Sequence, residues 1–403
     1  MAPTIIPGSA LGQEGALAPS EQVVLGAIGL GGRGTGDLRC FMEEPDVRFV
    51  AIADVRRERR EAIKKMADAR YGNTDCATYR DMHEVLARGD IDAMLIATGD
   101  RWHTMASITA AKAGKDVYFE NPCSMTIRES LALAVSYRKY DRIYHDGSQR
   151  RRIGNFIFAA ELVATGKLGK LHTVHANTLP PATKHTWLPA EPEPSADEVD
   201  WNRWLGPCPW RPYNSQYVRG RWRGFFDFHG GGILEWGAHT VDLCQWAAQK
   251  DHTTPVEYVP EGNGVNATYD DGLKLVMRDR DSGCMGLGTC SVRYEGDEGW
   301  IETGDSGKFA IYPESLRTEQ TVFTRAGTDP TTHIRNFLNC VKSRKPANAN
   351  VDVAARSHVV SHAAYIAWQL GRTVKFDPVK EEFVGDDEAN RMRSRAMREP
   401  WRI

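Results

Sequence analysis

Three side chains near the middle of the chain have the types and spacing of a proton-transfer site. Glu235 lies four residues before His239, and Asp242 lies three residues after it. Residues three or four apart share one face of an α-helix, so the spacing predicts two carboxylates beside one imidazole, an arrangement that tunes a proton acceptor. The alternative is a structural histidine that caps or packs its own helix. No metal site is predicted, because the stretch lacks a second pair of ligands.

A glycine-rich stretch near the start of the chain predicts a second kind of chemistry, the binding of a dinucleotide. The apolar run at residues 23–28 leads directly into a G-x-G-x-x-G sequence. The stretch comprises Gly29, Gly31, Gly32, Arg33 and Gly34. The first glycine of such a motif makes a tight turn, the second admits a pyrophosphate and the third lets the helix pack closely on the strand. The alternative is an ordinary glycine turn.

An acidic residue at the expected distance supports the dinucleotide interpretation. A second apolar run, at residues 48–53, ends in Asp54, 20 residues after Gly34. A carboxylate at this position accepts hydrogen bonds from the adenosine ribose, which favours NAD over NADP because it repels the extra phosphate. Two alternatives remain open: Asp54 could cap a helix, and Arg56 with its neighbour Arg57 could hold the phosphate of NADP.

Strand and helix patterns alternate over residues 23–148, and these elements must position the groups above. Continuous apolar runs at residues 92–98 and 116–120 predict buried parallel strands. The alternation predicts an α/β fold whose first domain is a doubly wound Rossmann domain, with ligands beyond the carboxyl ends of its strands. Those ends carry Thr98, His103, Glu120 and Asn121.

The remaining chain predicts a second domain between two terminal arms. At 403 residues the chain exceeds the roughly 250–300 at which one hydrophobic core stops growing. Short alternating segments predict half-exposed antiparallel strands in a second α/β domain at residues 149–378. Residues 1–22 are predicted as an extended N-terminal arm and residues 379–403 as a C-terminal arm.

Charge and hydrophobicity exclude two classes of protein. The 51 basic and 53 acidic residues nearly cancel, which argues against a nucleic-acid-wrapping partner. Runs of about 18 consecutive apolar residues, which a membrane span needs, do not occur in the sequence. Neither a nucleic acid nor a membrane is therefore an expected partner.

Tryptophan is concentrated in one part of the second domain. Seven of the 11 tryptophans lie between Trp187 and Trp246, in a stretch with many prolines and glycines. On irregular loops their flat apolar faces match sugar rings, and the alternative is a small core beneath a long loop. The stretch suggests a substrate site formed by Lys184, His185, Trp187, Arg221, Arg223, Trp236 and His239. Its basic residues would bind an anionic sugar, or else pair with local acids.

Several stretches together resemble the Gfo/Idh/MocA family of NAD(P)-dependent sugar oxidoreductases. They are GAIGLGGRG with IADV, ATGDRWHTMASITAAKAGKDVYFENP, HDGSQRR, GKLGKLHTVHA, GGGILEWGAHTVDLCQW and HIRNFLNCVKSRKP. The resemblance implies that the second domain contains a large open, mainly antiparallel sheet. It also implies a homo-oligomer, because that sheet usually mediates dimers or tetramers in the family.

The resemblance also implies site residues. His103 would lie at the nicotinamide end of NAD, Glu120 would contact the nicotinamide ribose, and Gln149 would lie nearby. Glu235 and His239 match the family's acidic residue and histidine, with Glu in place of the usual Asp. The family has a lysine between Glu and Pro that hydrogen-bonds the substrate hydroxyl, and here Asn121 replaces it. Asparagine can orient a hydroxyl but cannot act as a general acid or base near pH 7.

Three functions follow from these features. The first is NAD-dependent removal of hydride from a sugar or cyclitol alcohol, with His239 as proton acceptor. The second is redox-neutral glycoside hydrolysis through transient oxidation at C3 and elimination, which the family also contains and which the loss of the lysine favours. The third is a non-catalytic NAD-binding regulator, which the Glu235, His239 and Asp242 set argues against.

The first residues predict a location for the protein. APTIIPGSALG resembles the segment that follows a twin-arginine signal in exported bacterial oxidoreductases, which predicts a periplasmic or exported protein. The alternative is a native cytoplasmic N-terminus. Export would favour a retained cofactor, because NADH cannot be recycled outside the cytoplasm.

Overall fold

The computed structural model of the chain describes residues 17–178, 180–279, 287–317, 323 and 327–403. Most of the predicted N-terminal arm, residues 1–16, lies outside the described residues, and so does the stretch that predicts export. Among the helices that are described, none is long and apolar enough to cross a membrane.

Six parallel strands form the first sheet, in the order β3-β2-β1-β4-β5-β6. They are β1 (Val23–Ile28), β2 (Val47–Ala53), β3 (Ala77–Tyr79), β4 (Ala93–Ile96), β5 (Asp116–Phe119) and β6 (Tyr144–Asp146). The side chains of β1, β4 and β5 are nearly all buried because helices cover both faces of the sheet, whereas those of the edge strand β3 are only partly buried or exposed. This strand order is that of dinucleotide-binding sheets, which confirms the predicted Rossmann fold.

Five helices connect these strands. They are α1 (Gly32–Glu43), α2 (Arg57–Tyr71), α3 (Met82–Leu86), α4 (Asp100–Lys112) and α5 (Ile127–Tyr140). Side-chain oxygens cap two of them, since Asp81 accepts from the backbone of His83 and Thr126 from that of Glu129. The N-cap of α1 is Gly31, which has no side chain to offer, so the first N–H groups of α1 remain available to a ligand.

Nine strands form the second sheet, in the order β13-β12-β11-β7-β10-β9-β8-β14-β15. They are β7 (Leu171–Asn177), β8 (Glu257–Glu261), β9 (Gly264–Thr268), β10 (Lys274–Arg278), β11 (Val292–Gly296), β12 (Gly299–Thr303), β13 (Phe309–Tyr312), β14 (Val374–Asp377) and β15 (Glu382–Phe383). Strands β7 and β10 pair in parallel, and the other described pairs are antiparallel. The predicted α/β fold with a mainly antiparallel second sheet is therefore confirmed.

Seven further α-helices are described after β6. They are α6 (Gly154–Ala164), α7 (Trp201–Leu205), α8 (Gly232–Glu235), α9 (Gly237–Ala247), α10 (Thr331–Ser343), α11 (Val351–Leu370) and α12 (Asp387–Arg391). Apolar side chains of α6, α9 and α11 form one core with the second sheet. Helix α10 instead returns to the first sheet, where Ile334 and Phe337 share a core with Leu25 and Phe41. The chain thus crosses between the sheets repeatedly, and a cleft forms where they meet.

Candidate active site

A cavity of about 990 Å³ lies beyond the carboxyl ends of the first sheet's strands and is closed from the other side by α8, α9 and their loops. It is lined by all the residues predicted to bind the cofactor: Gly29, Gly31, Gly32, Arg33, Gly34, Asp54, Arg56, Thr98, His103, Glu120, Asn121 and Gln149. From the predicted catalytic set, His239 and Glu235 line it too. The fold therefore brings the dinucleotide motif and the histidine to one space.

The glycine loop has the geometry that a bound pyrophosphate needs. Gly29 has φ of 68°, and a Cβ there would lie 2.4 Å from the Thr98 side chain. A Cβ on Gly34 would lie 2.5 Å from Ala97, whereas a Cβ on Gly31 or Gly32 would have no atom of the described residues within 4 Å. The loop thus packs closely against Ala97 and Thr98 on one side and leaves space on the other, next to the uncapped start of α1. A phosphate fits in that space.

Asp54 lies at the end of β2 with one oxygen held by its own loop. The backbone N–H of Arg56 donates to Asp54 Oδ1 at 2.9 Å, and Oδ2 makes no hydrogen bond with the described residues. The Arg56 guanidinium donates to the carbonyl of Val218 at 3.1 Å, and that of Arg57 pairs with Asp197. Both arginines therefore have partners in the second half of the chain, while the Asp54 carboxylate remains available for a ribose.

Arg33 spans the cavity instead of pointing at the phosphate position. Its Nε lies 3.2 Å from Glu120 Oε1, and its Nη2 lies 3.1 Å from Asp37 Oδ1. Its Nη1 donates to the carbonyl of Thr328 at 3.0 Å. Burial, together with the charge of Glu120, raises the pKa of Asp37 well above its ordinary value. Arg33 thus fixes Glu120 in the cavity wall.

His103 is buried and connects two loops of the first sheet. Its Nδ1 lies 2.7 Å from the carbonyl oxygen of Pro122, and its Nε2 lies 3.0 Å from that of Thr98. The ring therefore fastens the loop after β4 to the loop after β5. Gln149 is also buried, and its Oε1 has no hydrogen-bond partner among the described residues.

His239 meets Asn121 at the centre of the cavity wall. Asn121 Nδ2 lies 3.3 Å from the carbonyl oxygen of Gly147 and 3.3 Å from His239 Nε2. A carbonyl only accepts, so the amide nitrogen must face it, and the second N–H of that nitrogen then points at His239 Nε2. His239 Nε2 is therefore the lone-pair nitrogen, and the ring proton resides on Nδ1.

The surroundings of His239 keep it neutral. Burial lowers the pKa of His239 well below its ordinary value, and the positive charges of Arg150 and Arg33 act in the same direction. Arg150 is itself buried and pairs through Nε and Nη2 with Asp305, both at 2.7 Å. In this pair, Asn121 can orient an alcohol and His239 can accept its proton.

The predicted pairing of His239 with Glu235 and Asp242 is wrong. Glu235 accepts hydrogen bonds from His229 Nε2 at 2.9 Å and Arg223 Nε at 3.1 Å. Asp242 is buried outside the cavity and accepts from Arg151 Nε at 2.7 Å. The helix that the spacing assumed is interrupted, because α8 ends at Glu235 and α9 begins at Gly237, and each carboxylate has a closer cationic or imidazole partner.

Glu235 and His229 form a second proton-transfer pair that the sequence analysis missed. The backbone N–H groups of Gly224 and Gly231 both donate to His229 Nδ1 at 3.1 Å, so the ring proton lies on Nε2, facing Glu235. Burial alone would raise the pKa of Glu235, but the His229 hydrogen bond and the Arg223 charge lower it. Glu235 is thus an ionised carboxylate that reaches the cavity. Nothing in the local sequence marked His229, whose partner is set by the loop before α8.

Most of the predicted substrate residues lie outside the cavity. Arg223, Trp236 and His239 line it, whereas Lys184, His185, Trp187 and Arg221 do not. Arg221 donates to Gln216 at 3.0 Å, Lys184 lies over the ring of Phe225, and the Trp187 side chain is 53% exposed. Anion binding by this basic group is therefore not supported.

The tryptophan-rich stretch serves mainly as a small core. Trp201 and Trp204 stack at 4.7 Å and are buried with Tyr217, Phe225 and Phe228. Among the seven tryptophans, Trp204, Trp222 and Trp236 also line the cavity. Of the two interpretations left open by the sequence, the core beneath a long loop accounts for Trp201, Trp204 and Trp222, and the edge of that core forms part of the cavity wall.

The two halves of the chain match the two domains of one enzyme family. Residues 23–148 match an oxidoreductase family profile described as an NAD-binding Rossmann fold, and residues 136–403 match the C-terminal alpha/beta domain of the same family. The chain belongs to the Gfo/Idh/MocA oxidoreductase family. The resemblance inferred from the sequence is thereby confirmed, and the first domain is an NAD-binding Rossmann domain.

Curated relatives include both dehydrogenases and glycosidases. A myo-inositol 2-dehydrogenase of Thermotoga maritima is 30% identical over 158 residues, 39% of this chain and 46% of that protein. A glycosyl hydrolase family 109 protein of Saccharopolyspora erythraea is 33% identical over 127 residues, 30% of this chain and 27% of that protein. The matched region thus spans less than half the length of either relative.

Solved structures share the whole fold. The WlbA dehydrogenase of Bordetella pertussis, solved with NADH and UDP-GlcNAcA, has a TM-score of 0.62 at 16% identity, covering 88% of this chain and 99% of that one. At this level of identity the likeness shows the fold alone.

Proposed function

We propose that the protein is an NAD-dependent oxidoreductase acting on a carbohydrate, in which His239 accepts the proton of a secondary alcohol while hydride leaves the same carbon. The observation that carries this proposal is the buried, neutral His239, whose Nε2 lone pair faces Asn121 in the cavity that also contains the glycine loop. The open loop at Gly31 and the free Oδ2 of Asp54 support NAD as the cofactor and disfavour NADP.

The chain's own residues would act on the substrate as follows. A substrate hydroxyl inserted between Asn121 and His239 donates its proton to His239 Nε2 and accepts a hydrogen bond from Asn121 Nδ2, replacing the 3.3 Å contact between them. Gly147 holds the amide in the required orientation through its carbonyl oxygen. Bound NAD would accept the hydride at its nicotinamide ring. The charge of Arg150 disfavours a lasting imidazolium, so the proton returns readily when the reaction reverses.

A second candidate is a redox-neutral glycoside hydrolase, favoured by the Glu235–His229 pair. Simple alcohol oxidation needs one proton acceptor, and Glu235 adds a carboxylate to the cavity wall that also contains His239. In the hydrolase, oxidation at C3 would acidify the C2–H bond. A base would remove the C2 proton as the C1–O bond breaks to expel the aglycone, water would add across the resulting double bond, and the C3 carbonyl would regain hydride. The ionised Glu235 would serve as that base.

The names of the curated relatives support a sugar or cyclitol substrate in either case. They include myo-inositol 2-dehydrogenase and glycosyl hydrolase family 109 protein. The substrate is therefore proposed as a polyhydroxylated ring, free in the first candidate and glycosidically linked in the second.

One assay separates these candidates. The protein is incubated with NAD and a panel of free cyclitols, free sugars and aryl glycosides, and both NADH absorbance and aglycone release are followed. Stoichiometric NADH from a free sugar or cyclitol supports the oxidoreductase. Aglycone release without net NADH, with solvent deuterium incorporated at C2, supports the hydrolase. Tight dinucleotide binding with neither signal would contradict both and favour the non-catalytic regulator.

A homo-oligomer and export belong to the same proposal. Helices α6, α9 and α11 cover one face of the second sheet, and the other face presents Arg293 stacked at 4.0 Å over Trp300 and a Tyr312 that is 60% exposed. A dimer or tetramer through that face is tested by light scattering on the purified protein. Export, supported by the sequence of residues 1–16, is tested by fractionating the source cells and probing the periplasm.

A further inference from the structure

We propose that the last residues of the chain belong to the dinucleotide site: Trp401, anchored through Arg398, closes the cavity over the adenosine end and slows release of the bound dinucleotide. The inference rests on the dinucleotide site of the proposed function but not on the identity of the sugar. Its origin is the presence of Pro400 and Trp401 in the wall of the same cavity that contains the glycine loop.

The C-terminal arm is fastened to the protein by specific contacts along its course. The carbonyl of Arg393 accepts from the backbone N–H of Arg128 at 2.9 Å, and Arg395 pairs with Glu129 at 3.0 Å. These contacts tie the arm to the first turn of α5, in the dinucleotide-binding domain. The arm therefore reaches the cavity along a defined path over its own chain.

Arg398 makes the strongest anchor, and it lies next to Trp401. Its guanidinium donates to Asn202 Oδ1 at 2.6 Å, to the Asn202 carbonyl at 2.8 Å and to the Gly206 carbonyl at 3.0 Å. Its backbone N–H donates to the Pro207 carbonyl at 2.9 Å. The same guanidinium lies 4.5 Å from the centre of the Trp401 ring. One arginine thus binds the end of α7 and supports the tryptophan.

Trp401 completes an aromatic wall with Trp102. The two rings meet edge to face with centroids 5.9 Å apart. Trp102 donates from Nε1 to the carbonyl of Arg203 at 2.7 Å, and its ring lies so close to Gly206 that a Cβ there would be 2.4 Å from it. Both tryptophans are therefore held in place, and both line the cavity.

This wall lies at the adenosine end. Trp102 is in the first turn of α4, and Asp54 directly follows β2, which ends at Ala53. The acidic residue after the second strand of a dinucleotide-binding sheet holds the adenosine ribose, so we place the adenosine beside Asp54. The backbone N–H of Asp200 donates to the Val55 carbonyl at 3.0 Å, and Arg203 pairs with Asp81 at 2.8 Å. The start of α7 is thereby fixed across the loop that carries Asp54.

A dinucleotide bound beneath this wall cannot leave by the adenosine end without displacing the arm. Stacking of a base on an aromatic side chain contributes enough that its removal costs roughly 10-fold or more in affinity. Because the arm covers the site without blocking the glycine loop, its loss should change release more than association.

The test is the dissociation rate of NADH from the full-length protein, measured by stopped-flow fluorescence during a chase with excess NAD. Trp401→Ala and Arg398→Ala should each accelerate release roughly 10-fold or more, with unchanged Tm and circular dichroism. Trp401→Phe should restore most of the slow release. Trp210→Ala is the matched control, since Trp210 is 58% exposed and lies outside the cavity wall.

The outcomes distinguish this inference from the proposed function. Wild-type release rates in both Trp401→Ala and Arg398→Ala would overturn the inference while leaving sugar oxidation intact. Faster release in the Trp210→Ala control, equal to that of the two arm variants, would also overturn it. Failure of NADH to bind the wild-type protein would overturn both the inference and the proposed function.

Discussion

The two ends of the cavity are built in different ways. At the dinucleotide end the contacts come from backbone: a glycine with φ of 68°, two glycines without near neighbours, and the uncapped start of α1. At the substrate end they come from side chains that meet from distant parts of the chain, such as Asn121 with His239 and His229 with Glu235.

This difference explains why the dinucleotide end should tolerate fewer substitutions than the substrate end. A backbone cradle tolerates few changes, because any Cβ on Gly29 or Gly34 collides with the next strand's loop. Side-chain pairs, such as Asn121 with His239, can be exchanged one residue at a time without changing the course of the backbone. The dinucleotide end should thus be shared across the family, and the substrate end should determine the reaction.

The largest effect is expected at the substrate end. His239→Ala should lower the turnover rate roughly 10²- to 10⁴-fold, because the alcohol proton loses its acceptor, while NADH affinity stays within about 2-fold, as the ends of the cavity are built independently. Turnover is measured with the best substrate of the panel. His172→Ala, at an exposed position in β7, is the control and should retain wild-type turnover. Equal turnover in both variants would remove His239 from the mechanism.

Adding one methyl group at Gly29 should disrupt dinucleotide binding. Gly29→Ala should weaken NADH binding about 100-fold, since an L-residue at positive φ and the contact with Thr98 together cost about 2–3 kcal/mol. Binding is measured by fluorescence titration, alongside Tm. Gly36→Ala, in the helix α1 that follows this loop, is the matched control, since no atom of the described residues lies within 4 Å of the added Cβ. If Gly36→Ala weakens binding as much, the loop geometry is not what matters.

Cofactor choice is expected to respond to Asp54. Asp54→Ser should weaken NADH binding roughly 10- to 100-fold, because a hydrogen bond to a charged group contributes about that much to affinity. The difference in affinity between NADH and NADPH should become smaller. Titrations with both dinucleotides check this, with the exposed Asp90→Ser as control. An unchanged preference for NADH over NADPH would mean that a group other than Asp54 binds the ribose.

The smallest effect is expected from pH. Burial lowers the pKa of His239 well below its ordinary value, so the neutral, proton-accepting form persists as pH falls through about 6.5. The rate of hydride transfer should therefore change less than about 2-fold between pH 7.5 and 6.5. The loss of rate through protonation of His239 should occur only below this range. Rapid-mixing measurements across this range check the point. A half-loss of rate near pH 6.5 would indicate an ordinary, solvated histidine.

What the sequence could predict follows the same division. The Gly29–Gly34 motif and Asp54 depend on local turns, so their spacing alone located the dinucleotide end. The pairing of Glu235 with His239 was wrong because it assumed one unbroken helix, whereas α8 ends at Glu235 and α9 begins at Gly237. His229 and Arg150 were missed because their partners lie on other elements, which spacing does not encode.

The tryptophans also show what composition alone cannot predict. Their clustering correctly marked a special region, but composition does not distinguish a stacked core from a sugar platform, and Trp201 with Trp204 proved to be core. Trp401 contributes to the cavity although it is 155 residues beyond the last tryptophan of that cluster, Trp246. Only the path of the C-terminal arm reveals it.

The most direct test of the central claim is a single-turnover experiment on the NAD-loaded protein. The loaded protein is mixed with the best substrate of the panel, and NADH absorbance is followed in the wild type and in His239→Ala. The account predicts a rise in absorbance in the wild type, lasting in the oxidoreductase and transient in the hydrolase, that is slowed at least 100-fold in His239→Ala. A wild-type protein that turns over substrate without any NADH signal, or a His239→Ala variant with the wild-type rise, would contradict it.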